Sequence, residues 1–484
     1  MRAFKRAVIF VHRWLGVALC LLFLLWFPSG IVMMYWDFPG VTPADRLQHA
    51  PALDPSRITL APEQVARGAP RQVVLNTFDA RPVYRFGGGR GSDSIVYADT
   101  GERVGAASKE MIDRAAASWS GRPVNAAQIE SVTEVDQWTV GGALRTMRPL
   151  WKFSWPDGQQ VYVSGASAEV VQYTTTASRI GAYFGAIPHW FYFTPLRKNQ
   201  AQWSRVVIWT SGIGAVTALL GIVVGLWMYL PAARMPYVGQ KRWHLILGLA
   251  FGIGAVTWAF SGMLSMDPFP LPRGPAPAPS LRGPIVMSAF RAKAPSAAVA
   301  EVGEPVKQLE FANVDGRAVY IASLAAGGTR IVPVDGPPIA AFDTDRLIAL
   351  FTDAAQPRIF AETRLLTDYD RYYLDRHRQR PLPVLLAVAD DADRTRYYID
   401  PKTARTVASY SSQRWVSRYL YHGLHSLDVP WLYDHRPAWD LVVLTFMLGG
   451  TALCVTSVIL AWRVVRPVRS VRSRGTGARA DADI

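Results

Sequence analysis

The chain has 484 residues, half of them hydrophobic, with 17 tryptophans and a formal net charge of +15. This is too long for one ordinary domain, and the composition suits a protein that is part membrane and part soluble. Two cysteines, Cys20 and Cys454, both fall in apolar stretches, which excludes a disulfide framework and a thiolate metal site.

Residues 1–36 open with Arg2, Lys5 and Arg6 and no acid, then run apolar from 8 to 36. About 20 such residues cross about 30 Å of hydrocarbon, so the pattern predicts a spanning helix. A cleaved signal peptide would be shorter and would end at small residues. This stretch ends in Tyr35-Trp36-Asp37-Phe38-Pro39, so the helix is expected to be retained. Residues 37–204 read as mainly β with some helix. A strand at 81–86, with Tyr84 and Phe86 on one face, a glycine-rich turn at 87–91 and a strand at 94–98 make a hairpin. No Gly-x-Gly-x-x-Gly pattern opens a helix there, so the turn reads as a hairpin tip and not as a nucleotide loop. A helix is expected at 109–117, and a second hairpin joins 149–155 to 159–164 through Pro156-Asp157-Gly158.

A second span covers 205–230. A short basic loop, 231–242, carries Arg234, Lys241 and Arg242, and a third span covers 243–266. The second outer segment, 267–438, begins with a linker-like proline run at 275–279. It has a predicted helix at 344–351 and a hairpin joining 383–389 to 396–399. The fourth span covers 439–462, and the tail, 463–484, holds Arg463, Arg466, Arg469, Arg472, Arg474 and Arg479. The N-terminus, the short loop and the tail carry lysine and arginine with almost no acid, which predicts that all three face the cytoplasm of a bacterial inner membrane. The segments 37–204 and 267–438 then lie in the periplasm. The positive charge is largely topological. The basic tail has no interleaved aromatics and abuts a span, which argues against nucleic acid as a partner.

The order span, outer segment, span occurs twice, and the spans repeat in detail. His12 is followed by Gly16, Trp26, Ser29 and Gly30; His244 is followed at identical spacing, 232 residues on, by Gly248, Trp258, Ser261 and Gly262. A histidine in an apolar span is costly and is a candidate functional site by default. Helical periodicity puts Gly16 and Gly30 on the face of His12, and Gly248 and Gly262 on that of His244. Such glycines leave room for a flat macrocycle; they also fit a plain helix-packing groove. Together, the duplicated histidine and glycines favour haem held between His12 and His244.

His189 and His425 hold matching places before the second and fourth spans, each ahead of an aromatic cluster, Trp190-Phe191-Tyr192-Phe193 and Trp431-Leu432-Tyr433. They read as a second pair of axial ligands near the outer face, or as surface histidines in an interfacial belt. His422, three residues before His425, is the rival ligand. His377 and His435 read as surface or substrate-side groups, and His49 has no marked context. No His-Glu-x-x-His, Gly-x-Ser-x-Gly or Cys-x-x-Cys-His occurs, which argues against a zinc hydrolase, a serine hydrolase and covalent haem.

The hairpins ending in Tyr97-Ala98-Asp99-Thr100-Gly101 and Tyr398-Ile399-Asp400-Pro401-Lys402-Thr403 resemble PepSY modules. Joined to four spans with His-x-x-x-Gly and to Gly423-Leu424-His425-Ser426-Leu427, they resemble the PepSY-associated transmembrane-helix family over nearly the whole chain. That family includes inner-membrane ferric-siderophore reductases that carry haem. The resemblance implies a four-span helical bundle with two α+β PepSY-like periplasmic domains and two b-type haems on His12, His244, His189 and His425. It also implies a ferric chelate, such as a siderophore, reduced outside so that Fe(II) is released for uptake. Two axial imidazoles fill the iron and suit electron transfer. No nicotinamide or flavin domain is recognisable, so quinol, reduced flavin or a cytoplasmic reductase must supply electrons. Trp190, Tyr192, Arg197, Tyr433 and Arg436 are the expected chelate neighbours, because aromatic faces and guanidinium groups suit a flat, anionic ligand. Their other reading is anchorage at the headgroup level. From another class, the chain reads as a non-enzymatic membrane-anchored module that binds or restrains a periplasmic peptidase. A transporter is disfavoured by the scarcity of polar residues in the spans.

The topology predicts that a reporter active only in the periplasm, fused after Ile484, is silent. Activity there would reverse the arrangement.

Overall fold

Among the described residues four helices are long and apolar enough to cross a membrane: Arg2–Met33, Gln200–Tyr229, Gly239–Leu264 and Arg436–Val465. The computed structural model in which they occur describes residues 2–88, 94–229, 236–269 and 278–466. Parts of the glycine-rich turn at 87–91 and of the proline run at 275–279 lie outside the described residues, as do Arg234 and all of the tail beyond Arg466. Each helix is longer than the apolar stretch that marks it. Hydropathy marks the hydrocarbon-compatible part, whereas backbone hydrogen bonding continues into the flanking polar residues. The first helix thus begins at Arg2 and includes Lys5, whose ammonium lies 5.4 Å from the centre of the Trp227 ring.

Two compact units form. The helical unit gathers the described parts of Met1–Pro28, Thr210–Phe260 and Val443–Ile484. Its spans pack closely where side chains vanish. A Cβ added at Gly449 would meet the Phe251 ring at 2.5 Å, and one at Gly450 would strike the Phe27 ring. Trp258 meets Phe27 and Phe446 edge-on, with ring centres 5.9 and 6.3 Å away.

The outer unit comprises the described parts of Ser29–Trp209 and Ser261–Val442 and holds fifteen named strands among its described residues. The first outer segment supplies β1 (Gln72–Phe78), β2 (Arg81–Gly87), β3 (Ser94–Tyr97), β4 (Gln128–Val132), β5 (Leu150–Ser154), β6 (Gln160–Ser164) and β7 (Val170–Thr174). The second supplies β8 (Arg282–Gly283), β9 (Val306–Val314), β10 (Arg317–Leu324), β11 (Thr329–Pro333), β12 (Phe360–Leu366), β13 (Val384–Ala389), β14 (Arg396–Asp400) and β15 (Arg405–Tyr410). The expected hairpins β2–β3, β5–β6 and β13–β14 all form, with antiparallel register. The expected helices also occur, as Lys109–Ser120 and Thr344–Ala355.

One feature departs from two self-contained outer domains. The largest sheet runs β11-β10-β9-β1-β2-β3, with β8 on β9, and so draws on both outer segments. The seam is β1 against β9, where Leu75 faces Leu309 and Val74 faces Glu310. Nothing in the hydropathy of either strand names its partner, because pairing across more than 200 residues leaves no local signal. The other two sheets, β4-β5-β6-β7 and β12-β13-β14-β15, each stay within one segment.

Strand alternation gives the large sheet two buried faces. Leu75, Tyr84, Phe86, Leu309, Phe311 and Tyr320 build one core with Phe290. On the opposite face, Phe78, Val83 and Tyr97 join Ile112 and Ala116 of the helix Lys109–Ser120 and Phe153 and Val161 of the second sheet. Val319 and Ile321 do the same with Leu347, Phe351, Leu385 and Tyr397.

Leu75 and Leu309 have no exposed surface. Leu309→Ala is expected to cost about 2–5 kcal/mol, the usual range for a buried leucine cavity. A lowered thermal midpoint of the detergent-solubilised chain checks this; an unchanged midpoint would mean that the seam contributes little.

Candidate cofactor-binding histidine pairs

An imidazole in an apolar helix has two ring nitrogens, and each needs a partner. In the helical unit His12 and His244 face each other with ring centres 6.4 Å apart and planes 36° apart. His12 Nδ1 lies 3.1 Å from the Thr217 carbonyl oxygen. A carbonyl only accepts, so Nδ1 carries the proton and Nε2 is the basic nitrogen. His244 Nδ1 lies 3.3 Å from Thr456 Oγ1 and 3.4 Å from Ser457 Oγ. Both hydroxyls already donate to the Leu453 carbonyl, at 2.7 and 2.8 Å, so each offers a lone pair to the ring. His244 therefore adopts the same tautomer as His12.

Both rings line a cavity of about 660 Å³, within the roughly 300–1,000 Å³ typical of small-molecule and cofactor sites. Its walls include Gly16 and Gly248, Cys20 and Cys454, and aliphatic side chains of the spans. A Cβ on Gly16 would meet nothing within 4 Å, and one on Gly248 only Leu453 at 3.8 Å, so these two glycines border open space and not a packed groove. Gly221 is different. A Cβ there would come within 2.7 Å of His12 Cε1, so the second span must lack a side chain for the ring to sit where it does.

The outer unit holds the other pair. His189 closes the short helix Ala186–His189, and His425 follows a π-helical turn, Val416–Gly423. Their ring centres are 6.2 Å apart, with planes at 67°. His189 Nδ1 is 3.1 Å from Ser29 Oγ, and His425 Nδ1 is 3.0 Å from Ser261 Oγ. Ser29 and Ser261 are the repeated serines of the first and third helices, and both are buried. Gly30, beside Ser29, is buried, and Gly262 is half-buried.

His422 takes another place. Its ring lies tilted against Tyr421, with centres 4.6 Å apart, while Tyr421 also lies 5.6 Å from His425. Burial, with Arg418 and Arg380 nearby, holds the His422 imidazole below its ordinary value. A brace fixes this stretch. Arg418 Nη1 meets Asp428 Oδ1 at 2.7 Å, Nη2 meets the Asp428 carbonyl at 3.0 Å, and Nε bonds the Arg371 carbonyl. Burial pushes the Asp428 carboxyl up to about 6, against the opposing pull of Arg418.

The residues expected near a chelate divide. Arg197 is buried, with its guanidinium 4.7 Å from the Tyr192 ring centre, 4.2 Å from that of Trp203, and bonded to the Val140 carbonyl. Enclosed in this way, it braces its segment and presents no face outward. Trp190 is exposed, and its ring lies 5.1 Å from Tyr192. Tyr433 is half-buried against Trp439, and Arg436 is exposed but paired with Asp440 at 2.8 Å. His435 stacks on Trp431, and His377 Nε2 meets Arg376. His49, without context in the sequence, stacks on Trp119 at 3.9 Å beside a cavity of about 550 Å³ in the outer unit.

Two imidazoles holding one metal ion from opposite sides have ring centres about 6–6.5 Å apart, twice the sum of a bond of about 2 Å and about 1.1 Å from nitrogen to ring centre. The separations of 6.4 and 6.2 Å both fall there. Among the described residues no group of three or more His, Cys, Asp or Glu side chains could hold a metal ion without other ligands. A metal that brings its own equatorial donors fits the two-histidine sets. No protein-family model matches the chain, and a search of curated proteins finds no match either.

Gly221→Ala is expected to displace the His12 ring and to lower the thermal midpoint of the cofactor-free chain, with an overpacking cost of about 1–3 kcal/mol. Gly16→Ala, which fills open space, should leave that midpoint unchanged. Equal midpoints for the two variants would contradict the close approach at Gly221.

Proposed function

We propose that this chain is an inner-membrane carrier of two b-type haems that reduces a ferric chelate, such as a ferric siderophore, on the periplasmic side. The observation that carries the reading is the pairing itself. Four histidines from four separate helical segments form two facing pairs, each ring held at Nδ1 by a hydroxyl or carbonyl oxygen.

A haem between two imidazoles supplies reversible one-electron chemistry without an open coordination position. The chain supplies the rest. Thr217, Thr456 and Ser457 fix the tautomer and direction of the inner imidazoles, and such partners raise the basicity of a ligating ring. Gly16 and Gly248 leave space beside these rings. Ser29 and Ser261 orient the outer rings. The Arg418–Asp428 brace holds the stretch that carries His425. Trp190, Tyr192 and Tyr433 offer aromatic surface to the chelate at that end. On this reading both termini are cytoplasmic, and the donor is quinol, reduced flavin or a separate reductase. Reduction to Fe(II) weakens binding by hard oxygen donors and frees the metal for uptake.

The purified chain should be red, with two low-spin haems per chain. His12→Ala or His244→Ala should remove one haem and spare the other; His189→Ala or His425→Ala should do the reverse. Ferric chelates should reoxidise the dithionite-reduced protein anaerobically while Fe(II) appears in step. A colourless chain, or four variants with full haem content, would leave a membrane-anchored PepSY-like module as the better reading. Haems that no ferric chelate reoxidises would leave an electron carrier for another acceptor.

A further inference from the structure

The inner cavity has a basic lining that the histidines do not explain. Arg13, Lys241 and Arg463 all border it, from the first, third and fourth helices, together with Tyr237. Among the described residues none of the three has an ion-pair partner in the chain. The helical unit offers none: its described segments hold no aspartate or glutamate at all. Arg13 has only the ring of the adjacent Trp14, 5.6 Å away.

The bias of flanking charge accounts for cations that lie outside the hydrocarbon. Lys241 and Arg463 near helix ends fit that account. Arg13 does not, because it lies inside the apolar stretch that runs from 8 to 36, directly after His12. A charged side chain at such a depth is costly unless it faces a cavity or meets an opposite charge. Three cations around one largely apolar cavity, with no anion among the described residues of that unit, suit an anionic occupant. Such an occupant needs an apolar body for the walls and at least one oxygen anion for the cations.

We propose that Arg13, Lys241 and Arg463 receive the carboxylates of the ligand held between His12 and His244, and so fix its in-plane orientation with the acidic edge toward the N-terminal end of the first helix. This rests on the haem reading above, in which the carboxylates are the two propionates. Charge-assisted hydrogen bonds of this kind are about twice as strong as neutral ones, and in an apolar site they have little competition from water. An anionic lipid headgroup would bring the same oxygen-anion chemistry, and the test separates the two sources.

The full chain is placed in nanodiscs of phosphatidylcholine alone, and haem transfer to excess apomyoglobin is timed. Arg13→Gln, Lys241→Gln and Arg463→Gln are each expected to speed loss from the site that His12→Ala empties by about tenfold, equivalent to about 1.4 kcal/mol. Arg13→Lys should restore most of the retention. The outer haem, unchanged in the same spectra, reports that each variant is folded. Apo-protein reconstituted with haem dimethyl ester, which lacks both charges, should lose it from the inner site of the wild-type chain as fast as from the triple variant. Wild-type retention of the ester equal to that of the free acid would overturn the proposal, as would variants that hold haem like the wild type. A variant effect that appears only when phosphatidylglycerol is added would assign the cations to lipid and also overturn it. Absence of haem from the wild-type chain would instead remove the reading on which the proposal rests, and is seen before any variant is made.

Discussion

An imidazole inside an apolar helix must satisfy two nitrogens without water, and the arrangement of this chain follows from how it does so. In each of the four central histidines Nδ1 is tied to an oxygen at 3.0–3.3 Å. That bond fixes the ring and, in the inner pair, the tautomer. In the inner pair it leaves Nε2 as the basic nitrogen. Two such rings with centres 6.4 Å apart have the spacing of a pair that could hold one metal ion from opposite sides. The glycines bordering the cavity and the small side chain required at position 221 follow from the same need for room around the rings.

The β structure obeys a different constraint. β1 and β9 come from segments separated by two spanning helices, yet they pair antiparallel through Leu75 and Leu309, buried without exposure. Leu309 lies 234 residues after Leu75, close to the 232-residue offset of the repeated span motif. Neither half could cover its own edge strand at this point, and an exposed edge invites pairing with another chain. Joining the two edges removes that liability and couples the outer segments through a sheet with a core on each face.

How much of this the sequence carries depends on the range of the interaction. The four spans and the hairpins at 81–97, 150–164 and 384–400 are local patterns of hydropathy and turn residues, and they were readable to within a few residues. The exact spacing of His12 with Ser29, and of His244 with Ser261, singled out those positions as a repeat. It did not say that each serine serves a histidine on a different element. The β1–β9 seam was not legible, because two apolar alternating strands hold no record of each other. Arg197 reads in the sequence as a ligand-binding cation beside an aromatic cluster; the structure sets its guanidinium over Tyr192 of that cluster and over Trp203, a contact the sequence does not show. His422 and His425 share a helical face in sequence, yet the π-helical turn and the Arg418–Asp428 brace decide which ring meets His189.

The repeat is visible in only half of the partners, and hydrogen-bond chemistry explains why. The first and third helices each contribute an imidazole at one end and a serine hydroxyl seventeen residues later, so one stretch of sequence is constrained twice. The oxygens that hold His12 and His244 are constrained less. A ring N–H donates to a backbone carbonyl, as at Thr217, or to a side-chain hydroxyl oxygen, as at Thr456 and Ser457, with similar geometry. A carbonyl is present at every residue, so the second helix needs no special side chain there, only the absence of one at Gly221. The fourth helix meets the same demand with two hydroxyls whose own protons are tied to Leu453. Equivalent functions are thus met by unlike residues, and the inner pair has a symmetry of roles that no comparison of its two halves, letter by letter, could reveal.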